Sequence, residues 1–370
     1  MRERNDNGGF LQAVILVGGE GTRLRPLTYV TPKPMVPLFG VPFLERTLWR
    51  LKDAGVDDVI MAAGYLPSAI TDHLGDGSRL GMKLTYVIED EPRGTAGAIK
   101  NVADHIKGPF FVLNGDVLTS LDLKAMMNFH ERKGGLGALH LIRVEDPSPF
   151  GCVVHDESGR INRFVEKPPK NEAPTDEVNA GTYLLERDVL EIIPPGKNVS
   201  IERETFPQLL ASGANLHAYV TNDYWLDVGR PDQYIQAHRD VLDGKLTLPT
   251  PADQKQHKGG RFWRRGDAGM PDTVQPPAFI AEGAIIDAGA QVGPYAVIGE
   301  RSHVGNGACV KGTILWNDVV VYSKASIVDS ILASNVRVGE DARIGAGSVI
   351  AHDAAIEPGA ELPADSRVSV

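Results

Sequence analysis

A glycine-rich loop followed by three cations opens the chemistry of this sequence: Gly18-Gly19-Glu20-Gly21-Thr22-Arg23-Leu24-Arg25, then Lys33 between Pro32 and Pro34. Three glycines in four positions let the backbone adopt positive φ and approach a ligand closely. Consecutive backbone N–H groups in such a loop form an anion nest. Arg23, Arg25 and Lys33 bring positive charge to the same stretch. The prolines beside Lys33 fix φ and remove donors, so Lys33 is expected on a stiff, extended piece of chain. A fixed lysine near a phosphate loop suits a leaving group that carries charge. No Gly-Lys-Ser/Thr closes the glycines, so this is not a P-loop, and the third glycine of the dinucleotide fingerprint is missing. The plain alternative is a glycine-rich turn with solvated basic residues.

Carboxylates and small residues recur at strand ends further on. Phe110-Phe111-Val112-Leu113-Asn114-Gly115-Asp116 is an apolar run ending in Gly-Asp. Asp116 there suits a hard cation such as Mg²⁺, which is held by one or two carboxylates plus substrate phosphates; the alternative is a cap for the next helix. Tyr224-Trp225-Leu226-Asp227-Val228-Gly229 provides a second carboxylate. Gly94-Thr95-Ala96 follow a predicted strand and start a helix, small enough for a flat base to lie on the backbone. Thr95 as a plain N-cap for a helix ending near His105 is the competing reading. Gly151 has room to pass close under a sugar ring. Glu166 accepts from hydroxyls and Lys167 is a point charge for a phosphate, although a Glu-Lys pair is more often a surface salt bridge. Ser200 to Arg203 or Glu204 reads as a capped helix start; Glu202 could also reach the sugar, with capping its safer role.

These groups need a scaffold. Ala13–Val17 and Val59–Ala63 have the length and composition of strands buried on both faces. A helix is predicted over Phe43–Ala54 with Gly55 as its stop, a short one over Ser68–Leu74, and strands at Lys83–Ile88 and Leu136–Val144. Val178–Leu185 is a further strand, and Pro231–Leu242 a closing helix. Strand–helix alternation at this spacing predicts βαβ units and a mixed, mainly parallel Rossmann-like sheet, whose ligands sit at the carboxyl ends of the strands.

The 370 residues suggest more than one domain. No apolar run reaches the ~20 residues of a membrane span, and residues 1–10 read as a loose polar tail without a signal core. The net charge of −10 argues against a nucleic-acid partner. Two cysteines, Cys152 and Cys309, read as unpaired thiols of a cytoplasmic protein. The catalytic domain is expected over residues 11–246. Residues 247–277 read as a proline- and glycine-rich linker with a basic cluster at Arg261, Arg264 and Arg265 taken as solvated surface.

Residues 278–370 carry a period of six. Ile280, Ile286, Val292, Ile298, Val304 and Val310 keep it, and Trp316, Tyr322 and Val328 extend the phase. A slip between Val328 and Leu332, expected as a bulge or loop, precedes Leu332, Val338, Ile344, Ile350, Ile356 and Leu362. Small residues such as Ala290, Ala296, Ser302 and Ala308 recur four places after the apolar one. Hexapeptide periodicity predicts a parallel β-helix.

The loop Gly18–Leu24 with Pro32-Lys33-Pro34 closely resembles the signature of sugar-nucleotide pyrophosphorylases, nucleotidyltransferases that act on sugar 1-phosphates. Within them, FFVLNGDV, RFVEKP, SIERETFP and YWLDVGRP are most similar to mannose-1-phosphate guanylyltransferases. The resemblance covers most of the chain and implies a left-handed coil for the β-helix. It implies nucleotide binding by Leu16, Gly18, Gly19, Gly21, Thr22, Glu89, Gly94, Thr95 and Ala96. It implies sugar-phosphate binding by Gly151, Glu166, Lys167 and Asn179. Arg23, Lys33 and Asp116 are the implied catalytic residues, with Mg²⁺ held by Asp116 and Asp227. Many members carry Leu where this chain has Arg93, a change at the edge of that loop. The implied reaction is GTP plus mannose 1-phosphate giving GDP-mannose and pyrophosphate. A thymidylyl-, uridylyl- or adenylyltransferase acting on glucose 1-phosphate is the near alternative. A non-catalytic regulatory subunit that binds nucleotide sugar is the alternative of another class, against which the intact charged residues argue. Hexapeptide β-helices also serve acyltransferases, for which His303 and His352 are candidate bases. Homo-oligomerisation through the β-helix is expected, with no membrane or nucleic-acid partner.

Overall fold

The computed structural model describes residues 11–249, 260–263 and 270–370. The tail at residues 1–10 and the arginines Arg264 and Arg265 lie outside the described residues. By compactness the chain falls into two units, one running to Gly19 and resuming over Thr47–Trp225, the other made of Glu20–Arg46 and Leu226–Val370. This division differs from the one read from sequence pattern, because Glu20–Arg46 go with the C-terminal half.

The first unit is built on a nine-stranded mixed sheet. Its elements in chain order are β1 (Gln12–Val17), α1 (Phe43–Asp53, begun in the other unit), β2 (Asp58–Ala63), α2 (Pro67–Leu74), β3 (Lys83–Ile88), α3 (Gly94–Asn101), β4 (Phe110–Asn114), α4 (Leu123–Lys133), β5 (Gly137–Arg143), β6 (Gly151–His155), β7 (Ile161–Glu166), β8 (Glu177–Leu185), α5 (Phe206–Ala211) and β9 (Leu216–Thr221). The strand order is β7-β6-β8-β4-β1-β2-β3, with β5 joining β8 to β9. β4, β1, β2 and β3 run parallel, while β8 meets β4 antiparallel. β1 lies between β2 and β4 with Val14 opposite both Ile60 and Val112. That is why its sequence is apolar throughout Ala13–Val17: a parallel strand in the middle of a covered sheet shows no face to water. Ala96, Ala98 and Ile99 of α3 join Val14, Ile60, Phe110 and Val112 in one buried cluster. Strands are added to one side of β1 and then to the other, all parallel to it, so the loops after β1, β3 and β4 gather at the carboxyl edge, the usual ligand crevice of such sheets.

In the second unit, α6 (Pro231–Leu242) precedes a parallel β-helix of two- and three-residue strands in three stacked sheets. The inward column reads Ile298, Val304, Val310, Leu315, Val321, Ile327, Leu332, Val338, Ile344, Ile350 and Ile356, all buried. The phase expected through Trp316, Tyr322 and Val328 is therefore corrected: Tyr322 is 45% exposed, and Leu315, Val321 and Ile327 point inward. The register slips twice, after Val310 and after Ile327, each time by losing one residue. Val310 accordingly pairs with Ile327, seventeen residues on, whereas Val292 pairs with Val310 at the full eighteen. The slip is a tightened corner, not a bulge. Gly312 occupies the first with φ 61° and Asp329 the second with φ 46°, and a Cβ on Gly312 would collide with the Asp329 carboxylate above it.

Part of the segment read as linker belongs to this unit's ordered structure. Gly260–Trp263 form a strand antiparallel to Ala278–Ala281, Trp263 is buried, and Arg261 lies 3.8 Å over its ring. Cys152 and Cys309 are free thiols. Among the described residues no helix is long and apolar enough to cross a membrane.

Candidate active site

In the first unit, three loop regions hang on the carboxyl ends of the parallel strands. Leu16, near the end of β1, accepts through its carbonyl from the Gly115 N–H at 3.1 Å, so the Gly115-Asp116 turn is pinned to the strand that carries Gly18 and Gly19. Asp116 is half-buried. It is not the cap of the next helix, since Asp122 caps α4 by accepting from the Ala125 N–H at 3.0 Å. Glu89, after β3, reaches toward Gly18: its Oε2 lies 3.6 Å from where a Cβ on Gly18 would stand. Burial raises the Glu89 carboxyl above its ordinary value, partly offset by the Arg93 N–H and guanidinium.

Gly94 opens α3 with φ 66°, and Ala96 is fully buried behind it. Thr95 is not the expected N-cap; Arg93 holds that position without a side-chain cap bond, and α3 ends at Asn101. The Thr95 hydroxyl donates to Glu202 at 3.0 Å and accepts from the Ile201 N–H at 2.8 Å. Ser200 does cap its helix, accepting from Arg203 N–H at 3.2 Å while its own N–H donates to Glu204. The reciprocal carboxylate is thus Glu204, which leaves Glu202 to the interior.

The sugar-facing candidates lie on neighbouring strands. Gly151 and Glu166 are directly paired between β6 and β7, and a Cβ on Gly151 would stand 2.6 Å from the Glu166 carboxylate. Glu166 Oε1 is 3.8 Å from Lys167 Nζ and 3.7 Å from Arg203 Nη2, so the Glu-Lys pair is real but shared with a second cation. Asn179 donates through Nδ2 to the Tyr183 hydroxyl at 2.6 Å. Phe150 stands edge-on to Trp225 at 5.2 Å, and the Trp225 indole donates to the Ala180 carbonyl.

The second unit holds the cations. Gly21 is left-handed, φ 63° and ψ 35°, at the start of a 3₁₀ turn over Thr22–Leu24. A side chain on Gly21 would stand 2.9 Å from Lys33 Cβ, so the glycine lets the two ends of this segment close on each other. Lys33 is not on extended chain. It opens a second 3₁₀ turn, Lys33–Met35, because Pro34 at the next position has the φ that a helical first turn needs. Its Nζ lies 3.8 Å from Asp227 Oδ1, with the lysine side chain 10% exposed. The Arg23 guanidinium lies against the backbone of Gly229, where a Cβ would come within 2.6 Å of Nη2. Arg25 is turned away to Glu20 at 2.8 Å, and Arg230 to Asp232 at 2.9 Å. Of the three cations after the glycines, Arg23 and Lys33 therefore meet the Asp227–Gly229 stretch.

The same segment is fastened to α6 and the β-helix. Thr31 Oγ1 and His352 Nε2 are 3.1 Å apart. Tyr234 donates to the Pro37 carbonyl and accepts from the Trp316 indole. The buried Arg46 guanidinium donates to the Leu38 carbonyl. His303, the other candidate base for a second activity, lies 3.0 Å from Asp287.

Residues 12–244 match the family described as Nucleotidyl transferase, and residues 274–364 match the GMPPB C-terminal domain. The chain belongs to the nucleotidyl transferase family. A mannose-1-phosphate guanylyltransferase of Mycobacterium tuberculosis is 43% identical over 77% of each chain. Mannose-1-phosphate guanylyltransferase 1 of Arabidopsis thaliana is 35% identical over 92% of this chain and 96% of its own. Among solved structures, HddC from Yersinia pseudotuberculosis complexed with GMP-PN aligns with a TM-score of 0.54 at 33% identity, covering 62% of this chain and 99% of its own. The protein is thus a nucleotidyltransferase resembling enzymes that bear the guanylyltransferase name.

Sequence reasoning missed Tyr183, Arg203 and the inward role of Glu202. Tyr183 reads as an apolar strand position. Its hydroxyl partner stands four residues earlier, which a two-residue strand period puts well out of reach.

Proposed function

We propose that the protein transfers the guanylyl group of GTP to α-mannose 1-phosphate in a Mg²⁺-dependent reaction, giving GDP-mannose and pyrophosphate. A phosphate oxygen of the sugar 1-phosphate attacks the α-phosphorus in line. The bond from that phosphorus to the bridging oxygen breaks, and pyrophosphate leaves with its charge. No protein nucleophile takes part, so the chain's work is positioning and charge stabilisation. The observation that carries the reading is the pairing of Arg23 with Gly229 and of Lys33 with Asp227. It gathers two cations at the tail of a glycine loop, as a transferring and departing phosphate requires. Arg23 would neutralise charge on the transferred group, Lys33 would hold the pyrophosphate and Lys167 the sugar phosphate.

Asp116 and Asp227 are hard oxygen donors suited to Mg²⁺, which completes its shell with water and phosphate oxygens. When bound, the ion would supply charge neutralisation at the phosphates of both substrates. The nucleotide set is Leu16, Gly18, Gly19, Gly21, Thr22, Glu89 and Gly94–Ala96, and the sugar set is Gly151, Glu166, Lys167 and Asn179. We take residues 11–246 as the catalytic domain and 278–370 as the β-helix, a cytoplasmic setting, and assembly of identical chains through the β-helix. The guanylyltransferase names of the relatives support the choice of base and sugar.

The test is pyrophosphate release with Mg²⁺ over GTP, dTTP, UTP and ATP against mannose, glucose, galactose and N-acetylglucosamine 1-phosphates. A dominant GTP–mannose 1-phosphate signal is expected. A dominant signal elsewhere in the grid replaces the substrates and keeps the chemistry; silence throughout favours a regulatory subunit.

A further inference from the structure

A kink in one strand brings two distant residues together. β8 pairs with β5 in steady register except between Asn179 and Tyr183, which face Leu141 and Leu139 respectively. Four residues of β8 thus span two of β5. Gly181, at φ 73°, takes up the surplus, and a Cβ there would stand 2.7 Å from Asn114 Nδ2. In an unbroken strand these residues would be about 13 Å apart at ~3.3 Å per residue. The bulge folds the strand back, so that the Asn179 amide donates to the Tyr183 hydroxyl at 2.6 Å and accepts from the Gly181 N–H at 3.0 Å.

Tyr183 is fully buried, and its hydroxyl passes the contact onward by donating to Glu202 Oε1 at 3.2 Å. The other oxygen of Glu202 accepts from Thr95 at 3.0 Å and from Ser200 at 2.9 Å. One connected path therefore runs from the helix start at Gly94-Thr95, through one carboxylate and one phenol, to Asn179. Burial raises the phenol's pKa well above its ordinary value, which keeps it a donor to Glu202.

We propose that Tyr183 is a positioning residue for sugar 1-phosphate recognition, and that the path Thr95–Glu202–Tyr183–Asn179 makes the nucleotide loop part of the sugar pocket's support. This deepens the proposed function and rests on its placing of Asn179 at the sugar and Thr95 at the nucleotide. Tyr183 holds the Asn179 amide in one rotamer, leaving one N–H and one lone pair of that amide for ring hydroxyls. A fixed amide discriminates between hydroxyl arrangements in a way that a freely turning one does not. Buried hydrogen-bond chains of this kind also couple their ends, because each member sets the orientation of the next.

The experiment is steady-state kinetics on the full chain, on whichever substrate pair the wild type turns over best. Tyr183→Phe keeps the ring, which packs edge-on to Phe206 at 5.1 Å. It is expected to raise KM for the sugar 1-phosphate about tenfold, the equivalent of one hydrogen bond, with kcat and nucleotide KM within about twofold. Thr95→Val is expected to raise the sugar KM as well as the nucleotide KM. The double variant should be no worse for sugar KM than the worse single variant. A wild-type sugar KM in Tyr183→Phe, or a Thr95→Val effect confined to the nucleotide, overturns the proposal. If Tyr183→Phe fails to fold, Glu202→Gln carries the same expectation and the same refutation. A wild type that prefers another substrate pair defeats the GTP–mannose reading, while the variant-to-wild-type ratios on that pair still decide the path.

Discussion

The cation-bearing segment of the second unit and the strand of the first that carries Asn179 hold these side chains by opposite means. Arg23 and Lys33 are long side chains; the first lies against the backbone of Gly229 and the second stands 3.8 Å from the Asp227 carboxylate. Asn179 is short and sits in a chain of side-chain hydrogen bonds closed by a buried phenol. On the proposed reaction, the difference follows from what each would meet. Phosphate charge moves during the transfer, and a cation on a pliant stem over a stiff turn can follow it. Ring hydroxyls do not move, and telling them apart needs a group that does not turn. Substitutions among the charges should therefore appear in kcat, and substitutions behind Asn179 in KM.

The widest separation is expected from Asp116→Asn, which removes charge at a half-buried turn without changing its shape. Turnover should fall by at least ~10³ while the thermal midpoint stays near wild type, since removing one preorganised charge-stabilising group commonly costs that much. Full activity in this variant would remove Asp116 from the metal assignment. Lys33→Met should lower kcat by about 10²-fold and weaken pyrophosphate in the reverse reaction, leaving sugar KM alone; a change confined to sugar KM would erase the contrast. Gly229→Ala tests whether the backbone, rather than a side chain, seats Arg23. A Cβ 2.6 Å from Nη2 must displace the guanidinium. A loss in kcat of about tenfold, corresponding to ~1.4 kcal/mol, is expected with unchanged nucleotide KM.

The last effect is a shared one, on stability rather than on turnover. Each unit buries one histidine whose pKa is pushed down to about 3 by desolvation, His140 in the first and His238 in the second. His238 shows why it stays neutral: Nδ1 donates to the Tyr234 carbonyl while Nε2 accepts from the Phe39 N–H, so a proton on Nε2 would face another donor. The folded chain binds no proton there, whereas the unfolded chain does below its ordinary value near 6.5. Stability is therefore fully present above that value and is lost as pH falls toward 3, by up to about 1.4 kcal/mol per pH unit for each histidine. Thermal midpoints measured from pH 7 to 5 should fall, and His238→Gln should flatten the slope. An unchanged slope in that variant would assign the acid sensitivity to the first unit.

Much of this was legible in the residues. The apolar run before Gly18 has the composition of a strand covered on both faces, and Pro231 at the first helical position marks the start of α6. The hexapeptide period was visible because one inward residue per six repeats without exception through Val310. It misled afterwards because Trp316 and Tyr322 are large and apolar at the extrapolated positions, whereas the true inward residues, Leu315 and Val321, are displaced by one tightened corner. Period alone cannot place a one-residue loss when both neighbours are apolar. The Asn179–Tyr183 bond was out of sight for a related reason: a positive φ at Gly181 breaks the strand period on which any pairing argument rests. Lys33 was misread because proline on both sides suits extended chain and a 3₁₀ start equally well.

The fastening of Glu20–Arg46 to α6 and the β-helix bears on how such chains can be recombined. A chimera cut after residue 246 would carry Arg23 and Lys33 away from His352, which meets Thr31, and from Trp316, which donates to the Tyr234 hydroxyl that in turn holds Pro37. Exchange of β-helices between relatives is therefore expected to preserve activity only when the donor coil also supplies the counterparts of His352, Phe279 and Trp316, which meet Thr31, Phe39 and Tyr234. The two cations thus belong by packing to the unit that carries the C-terminal coil, although most of the sheet lies between them and that coil in sequence.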